Sequence, residues 1–122
     1  MPPAVRALRG ATTVDADTRE QVHERVKALL AELFDRNDVD KDDLISILFT
    51  ATDDIRCTFP ATAARKYGLG DVPLICAREL DVEGGTPLCV RVMLHLETDR
   101  ARDELHHVYQ HGASNLRDDL PR

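Results

Sequence analysis

Apolar residues recur along this chain with two different periods, and each change of period marks a new element. Residues 4–11 alternate, with Val5, Ala7 and Arg9 on one face and Arg6 and Leu8 on the other. That is a strand pattern, which Gly10 is expected to end. From Thr18 to Arg36 the period lengthens. Val22, Val26, Leu29, Leu30, Leu33 and Phe34 fall along one stripe of a helix. Thr18 followed by Gln21 is a capping-box pair, Asp17 and Glu20 suit the positive end of the helix dipole, and Asn37 is a natural stop. Leu44 to Ala51 is an almost unbroken apolar run of strand length, the kind covered on both faces. Pro60 sits well at the first position of a short second helix, which Gly68 should close. Val72 to Val82 reads as a third strand. Leu88 to Thr98 is a fourth, with Leu88, Val90, Val92, Leu94 and Leu96 toward the core and Cys89, Arg91, Met93, His95 and Glu97 away from it. The Glu83-Gly84-Gly85-Thr86 turn between them predicts a hairpin. Asp99 to Glu104 suggests a helical turn, and Leu105 to Gln110 a last short strand. The stretch 112–122 reads as a loosely held tail.

The order β-α-β-α-β-β predicts one α+β domain over residues 1–122, a mixed or antiparallel sheet with both helices on one face. The other face would then need cover, and a partner subunit can supply it, so the pattern itself points to an oligomer. A length of 122 residues leaves no room for a second domain. The net charge of −6 argues against nucleic acid or an anionic membrane as partner. It leaves room for a small anion at a local arginine cluster, since arginine outnumbers lysine thirteen to three. Cys57, Cys76 and Cys89 form neither a disulfide framework nor a zinc pattern, and reduced thiols in the cytoplasm fit them. No apolar run matches a signal peptide or a membrane span.

Standard nucleophile, metal and nucleotide motifs are absent. His106, His107 and His111 cluster in sequence, but that spacing converges on no single point in a helix or a strand, so no metal site is expected. Arg91 stands out. Its neighbours on the same strand face are Cys89 and Met93, so it is either part of an ion pair with Glu79 or Glu97 or a desolvated ligand contact. Arg9, beside Gly10, is a second candidate.

RGATTV (9–14), TATDDI (50–55), FPATAAR (59–65), VPLICARELDV (72–82), CVRVML (89–94), HVYQ (107–110) and LRDDL (116–120) occur in order along nearly the whole chain. Together they resemble the monofunctional chorismate mutases of the homotrimeric α+β class. The resemblance implies a trimer forming a pseudo-α/β barrel with inter-subunit active sites. It implies a cofactor-free rearrangement of chorismate to prephenate in phenylalanine and tyrosine biosynthesis. On this resemblance Arg91 meets the ether oxygen of the breaking bond, and Glu79 with the backbone near Cys76 holds the ring hydroxyl. Arg9, helped by Tyr109, binds the side-chain carboxylate. Phe59, Ala61, Thr62 and Arg65 of a neighbouring subunit wall the pocket, Leu74 and Ile75 line it, and Leu116 and Arg117 close over it. Thr62 stands where the family pattern has a lysine, and residues 112–115 are less apolar than that pattern. A ligand-sensing module, a deaminase-like trimer and a purely structural protein are the rival readings. Loss of the chorismate diene absorbance separates catalysis from all three.

Overall fold

The computed structural model describes residues 3–116. Five strands form one mixed sheet: β1 (Ala4–Thr13), β2 (Leu44–Ala51), β3 (Leu74–Arg78), β4 (Cys89–Thr98) and β5 (Val108–Tyr109), in the order β3-β2-β4-β1-β5. The helices α1 (Arg19–Asn37) and α2 (Pro60–Ala64) pack on one face, with α2 continuing into a wider turn over Arg65–Leu69. Between them lie Leu8, Ile47, Phe49, Val90, Val92 and Leu94 from the sheet and Val22, Val26, Leu29, Leu30 and Leu33 from α1, all buried. Each such side chain contributes about 1.5–3 kcal/mol by leaving water.

Local signals in the sequence are realised closely. Thr18 Oγ1 accepts the backbone N–H of Gln21 at 3.2 Å, capping α1. The Gln21 side chain, instead of reaching back to Thr18, accepts the N–H groups of Asp15 and Ala16. Gly68 takes φ 99° where the second helix ends. On β4, Val90, Val92, Leu94 and Leu96 face the core as their alternation requires.

Four expectations change, while the stop at Asn37 holds. Gly10 does not end β1, which runs on to Thr13. A Cβ there would stand 3.0 Å from Leu33 Cδ1 and 3.1 Å from both Leu29 Cδ1 and the Val108 carbonyl oxygen. Glycine is therefore needed for close packing of α1 and β5 on the strand. Asn37 is the last residue of α1 and is buried. Its Nδ2 donates to the Leu33 and His106 carbonyls (2.9 and 2.8 Å) and its Oδ1 accepts the His106 N–H (2.6 Å), while Asp38, at φ 51°, is the cap.

The predicted hairpin does not exist. β3 lies parallel to β2 (Leu48 beside Ile75, Thr50 beside Ala77), and β2 separates it from β4. The β2-α2-β3 crossover accounts for this, because a strand returning through a helix pairs in parallel. The third strand is also shorter than the Val72–Val82 run. Beyond Arg78, Leu80 and Val82 are largely exposed. Finally, the start of the tail is held: Ala113 is fully buried against Ala11 and Cys89, and the Gly112 N–H reaches Thr13 Oγ1 at 2.9 Å. The rest of that stretch, 117–122, lies outside the described residues.

Candidate active site

The sheet face turned away from the helices positions the site. In β1 and β4, Arg9 stands opposite Met93 and Ala11 opposite Arg91. In β2 and β4, Leu48 stands opposite Met93 and Thr50 opposite Arg91. Side chains opposite one another across an antiparallel pair share a face. Arg9, Leu48, Thr50, Arg91 and Met93 therefore all look outward, and together with Glu79 and Val92 they line a cavity of about 200 Å³. Glu79 and Arg91 also wall a second hollow of about 500 Å³, formed with the 80–87 connection and Thr52 to Asp54.

Glu79 follows directly after β3, and its N–H extends the ladder to the Ala51 carbonyl at 3.0 Å. Its carboxylate Oε2 accepts Thr50 Oγ1 at 2.6 Å and lies 3.1 Å from Arg91 Nε. Its Oε1 accepts the Leu80 N–H at 3.3 Å. The ion pair predicted as the structural alternative for Arg91 is thus present, with Glu79 as the partner. That is the closest approach of the two groups. The Nε is buried yet lacks hydrogen-bond alignment with the carboxylate, and both side chains are only partly exposed, 33% for Arg91 and 20% for Glu79. Arg9 donates its backbone N–H to His107 Nδ1 at 2.9 Å, so that nitrogen carries no proton. Among the described residues no carboxylate lies within ion-pair distance of the Arg9 guanidinium. The Cys89 thiol beneath the site is almost fully buried, and burial pushes its pKa up despite the opposing field of Arg91. A thiol kept protonated is unsuited to nucleophilic attack.

The remaining sequence candidates lie elsewhere in the single chain. Phe59, the residue before α2, is 68% exposed. With Cys76 it lines a separate cleft of about 630 Å³ at the β3 edge, together with Arg19, Arg56 and Arg78. Arg78 there forms a two-point ion pair with Asp53 (2.6 and 3.0 Å), whose carboxylate it holds below the usual range. Ala61 is buried in the core, and Thr62 Oγ1 accepts from Arg65 at 3.3 Å. Leu74 packs toward the core, while Ile75 is 66% exposed on the outer face. Tyr109 and Leu116 pack against the cluster of Ala11, Cys89 and Ala113. Arg117 lies outside the described residues. Thr50 was not among the sequence candidates. Only its place opposite Arg91, a matter of register, could have revealed it.

Two guanidinium groups and one carboxylate beside apolar Leu48 and Met93 suit a small anionic ligand that also carries a hydroxyl. Among the described residues no group of three or more His, Cys, Asp or Glu side chains is placed to hold a metal ion.

The family model described as chorismate mutase type I matches residues 5–120. The chain is 40% identical over 117 residues to the chorismate mutase AroH of Bacillus subtilis, covering 95% of this chain and 92% of that protein. Its identity to the chorismate mutase AroH of Thermus thermophilus is 41% over 117 residues, covering 95% and 96%. The solved structure of a chorismate mutase from Clostridium thermocellum superposes with a TM-score of 0.89 at 42% identity, covering 91% of this chain and 99% of that one.

Proposed function

From the premise that this chain belongs to the chorismate mutase type I family, we propose that the cavity between Arg9, Glu79 and Arg91 is the seat of its reaction. The activity is that of a chorismate mutase, an isomerase that converts chorismate to prephenate. The reaction is an intramolecular pericyclic rearrangement, so it needs no nucleophile and no proton donor. It needs the enolpyruvyl group held over the ring in a near-attack conformation. It also needs a cation where the ether oxygen gains charge as the C–O bond stretches.

Arg91 supplies that cation. Its closest approach to Glu79 is through Nε, and in this reading the outer nitrogens of the fork serve the substrate. Glu79 offers four lone-pair positions, of which Thr50 and Leu80 fill two by hydrogen bond, while Arg91 Nε stands near Oε2 without one. A position left open can accept the ring hydroxyl. Arg9, without a carboxylate partner among the described residues, is available for a substrate carboxylate.

The working unit in this reading is a homotrimer with sites shared between subunits. Phe59 and the cleft at the β3 edge lie apart from the Arg91 cavity in one chain, and in this reading a neighbouring subunit brings its copy of them to that cavity. The outer sheet face also exposes Val5 (58%) and Ile75 (66%), apolar surface that association would cover. A cytoplasmic enzyme of phenylalanine and tyrosine synthesis completes the reading.

The observation that carries it is the convergence of Arg91 and Glu79 beside one outward-facing cavity. The test is Arg91→Ala, assayed by loss of chorismate absorbance. We expect kcat/KM to fall more than ~10³-fold, while the assembly keeps three times the 13.6 kDa chain mass. Unchanged kinetics in an intact assembly would remove Arg91 from the reaction.

A further inference from the structure

We propose that Thr50 is a positioning residue for the rearrangement: its hydroxyl holds Glu79 out of the aligned fork-to-fork pairing with Arg91 and thereby keeps the Arg91 fork free for the reacting oxygen. This rests on the reading of Arg91 and Glu79 given above.

The argument begins with where Glu79 stands. It is the first residue beyond β3, at the edge of the sheet, and its backbone has one ladder bond, to Ala51. A glutamate side chain with three rotatable bonds at a strand end has little to hold it. Left to itself beside an arginine, it would rotate into the two-point, fork-to-fork pairing that carboxylate and guanidinium prefer. The exposed Asp53–Arg78 pair nearby has taken that arrangement, with contacts of 2.6 and 3.0 Å. The Glu79–Arg91 pair has not. Its closest approach, Arg91 Nε to Oε2, is 3.1 Å and lacks the hydrogen-bond alignment that both contacts of Asp53 and Arg78 have.

What differs is Thr50. It sits in the middle of the sheet, opposite Arg91 on β4 and beside Ala77 on β3, with a β-branched side chain stiff about its first torsion. Its hydroxyl must donate, because the ionised carboxylate can only accept. The bond is short, 2.6 Å, and goes to Oε2, the same oxygen that faces Arg91. Oε2 is therefore shared, Oε1 is turned to the Leu80 N–H, and the carboxylate plane cannot meet the guanidinium squarely. A fully paired Arg91 would have its donors satisfied and its field largely cancelled before substrate arrived. A half-paired Arg91 keeps both for the transition state.

Thr50→Val removes the hydroxyl and preserves the shape, while Thr50→Ser keeps the hydroxyl and drops the methyl. A hydrogen bond to a charged group sets the scale of the expected loss, about 10–100-fold in kcat/KM for T50V, mostly in kcat. T50S should recover to within about threefold of the parent. Losses from T50V and Glu79→Gln should not add, since both act through one carboxylate. Thermal midpoint and assembly mass, measured on every variant, separate positioning from misfolding. If R91A loses activity but T50V in an intact assembly matches the parent, or if T50S is as poor as T50V, the role of Thr50 is overturned and that of Arg91 stands. If R91A is itself fully active, the underlying reading fails first. Strict additivity of T50V and E79Q would also overturn the proposal.

Discussion

Arg91→Lys tests whether the site needs a charge or a fork. The substitution keeps the positive charge and, at a side chain one-third exposed, should alter stability little. It replaces a planar group that reaches two partners at once with a compact point charge. In the parent, Nε faces Glu79 Oε2 at 3.1 Å and, in the reading above, the outer nitrogens serve the substrate. An ammonium on a shorter stem can settle against the Glu79 carboxylate or lean toward the ether oxygen. At about 4 Å and an effective dielectric of about 20, the attraction to a fixed carboxylate is worth roughly 4 kcal/mol. That exceeds what a partly developed charge on the ether oxygen can offer, so the ammonium stays with Glu79. The variant then loses the value of one preorganised donor, about 2.7–4 kcal/mol, or ~10²–10³ in rate. We expect that loss in kcat, with KM changed only a few-fold because Arg9 still binds a substrate carboxylate. Steady-state kinetics on chorismate, with the assembly mass checked, give the answer. A loss below tenfold, or one confined to KM, would show that a point charge suffices and refute the argument from the fork.

Two further outcomes follow from packing and titration. Gly10→Ala places a Cβ 3.1 Å from the Val108 carbonyl, which cannot yield without moving β5. The overpacking cost of about 1–3 kcal/mol should outweigh the ~0.5–1 kcal/mol gained by removing a strand glycine, so the thermal midpoint should fall; a rise would contradict the packing account. Asp17 accepts the backbone N–H groups of Arg56 and Cys57 at 2.9 and 3.3 Å. The Cys57 thiol and these N–H groups hold its carboxyl below the ordinary value of 3.8. A pKa depressed in the folded state stabilises above the unfolded value and is lost as pH falls through the folded one. The urea midpoint of Asp17→Asn should therefore lie below the parent's at pH 7 and converge on it as the pH is taken below 3.8. A gap that stays constant would show that Asp17 does not titrate against folding.

Much of the fold was legible because its signals are local. The stripe of α1 and its Thr18 cap, the limits of β2, Pro60 and Gly68 around the second helix, and the alternation of β4 depend on residues within a few positions of one another. The hairpin failed because strand pairing is a long-range choice. Gly84 and Gly85 do make a turn, with the Gly85 N–H on the Val82 carbonyl at 2.9 Å, yet the strands around it never meet. Gly10 was misread for the same reason. Its meaning lies in Leu29, Leu33 and Val108, far away in sequence.

The sequence alone therefore determined which residues are apolar at which period. Through an ordered set of short motifs, it also determined which reaction class the chain resembles. Tertiary structure alone decided the register that sets Thr50 and Ala11 opposite Arg91, and so which oxygen of Glu79 the guanidinium faces. The physical reason is range. Periodicity and capping act over a turn or a pleat, whereas a site made from three strands exists only once the sheet has chosen its neighbours.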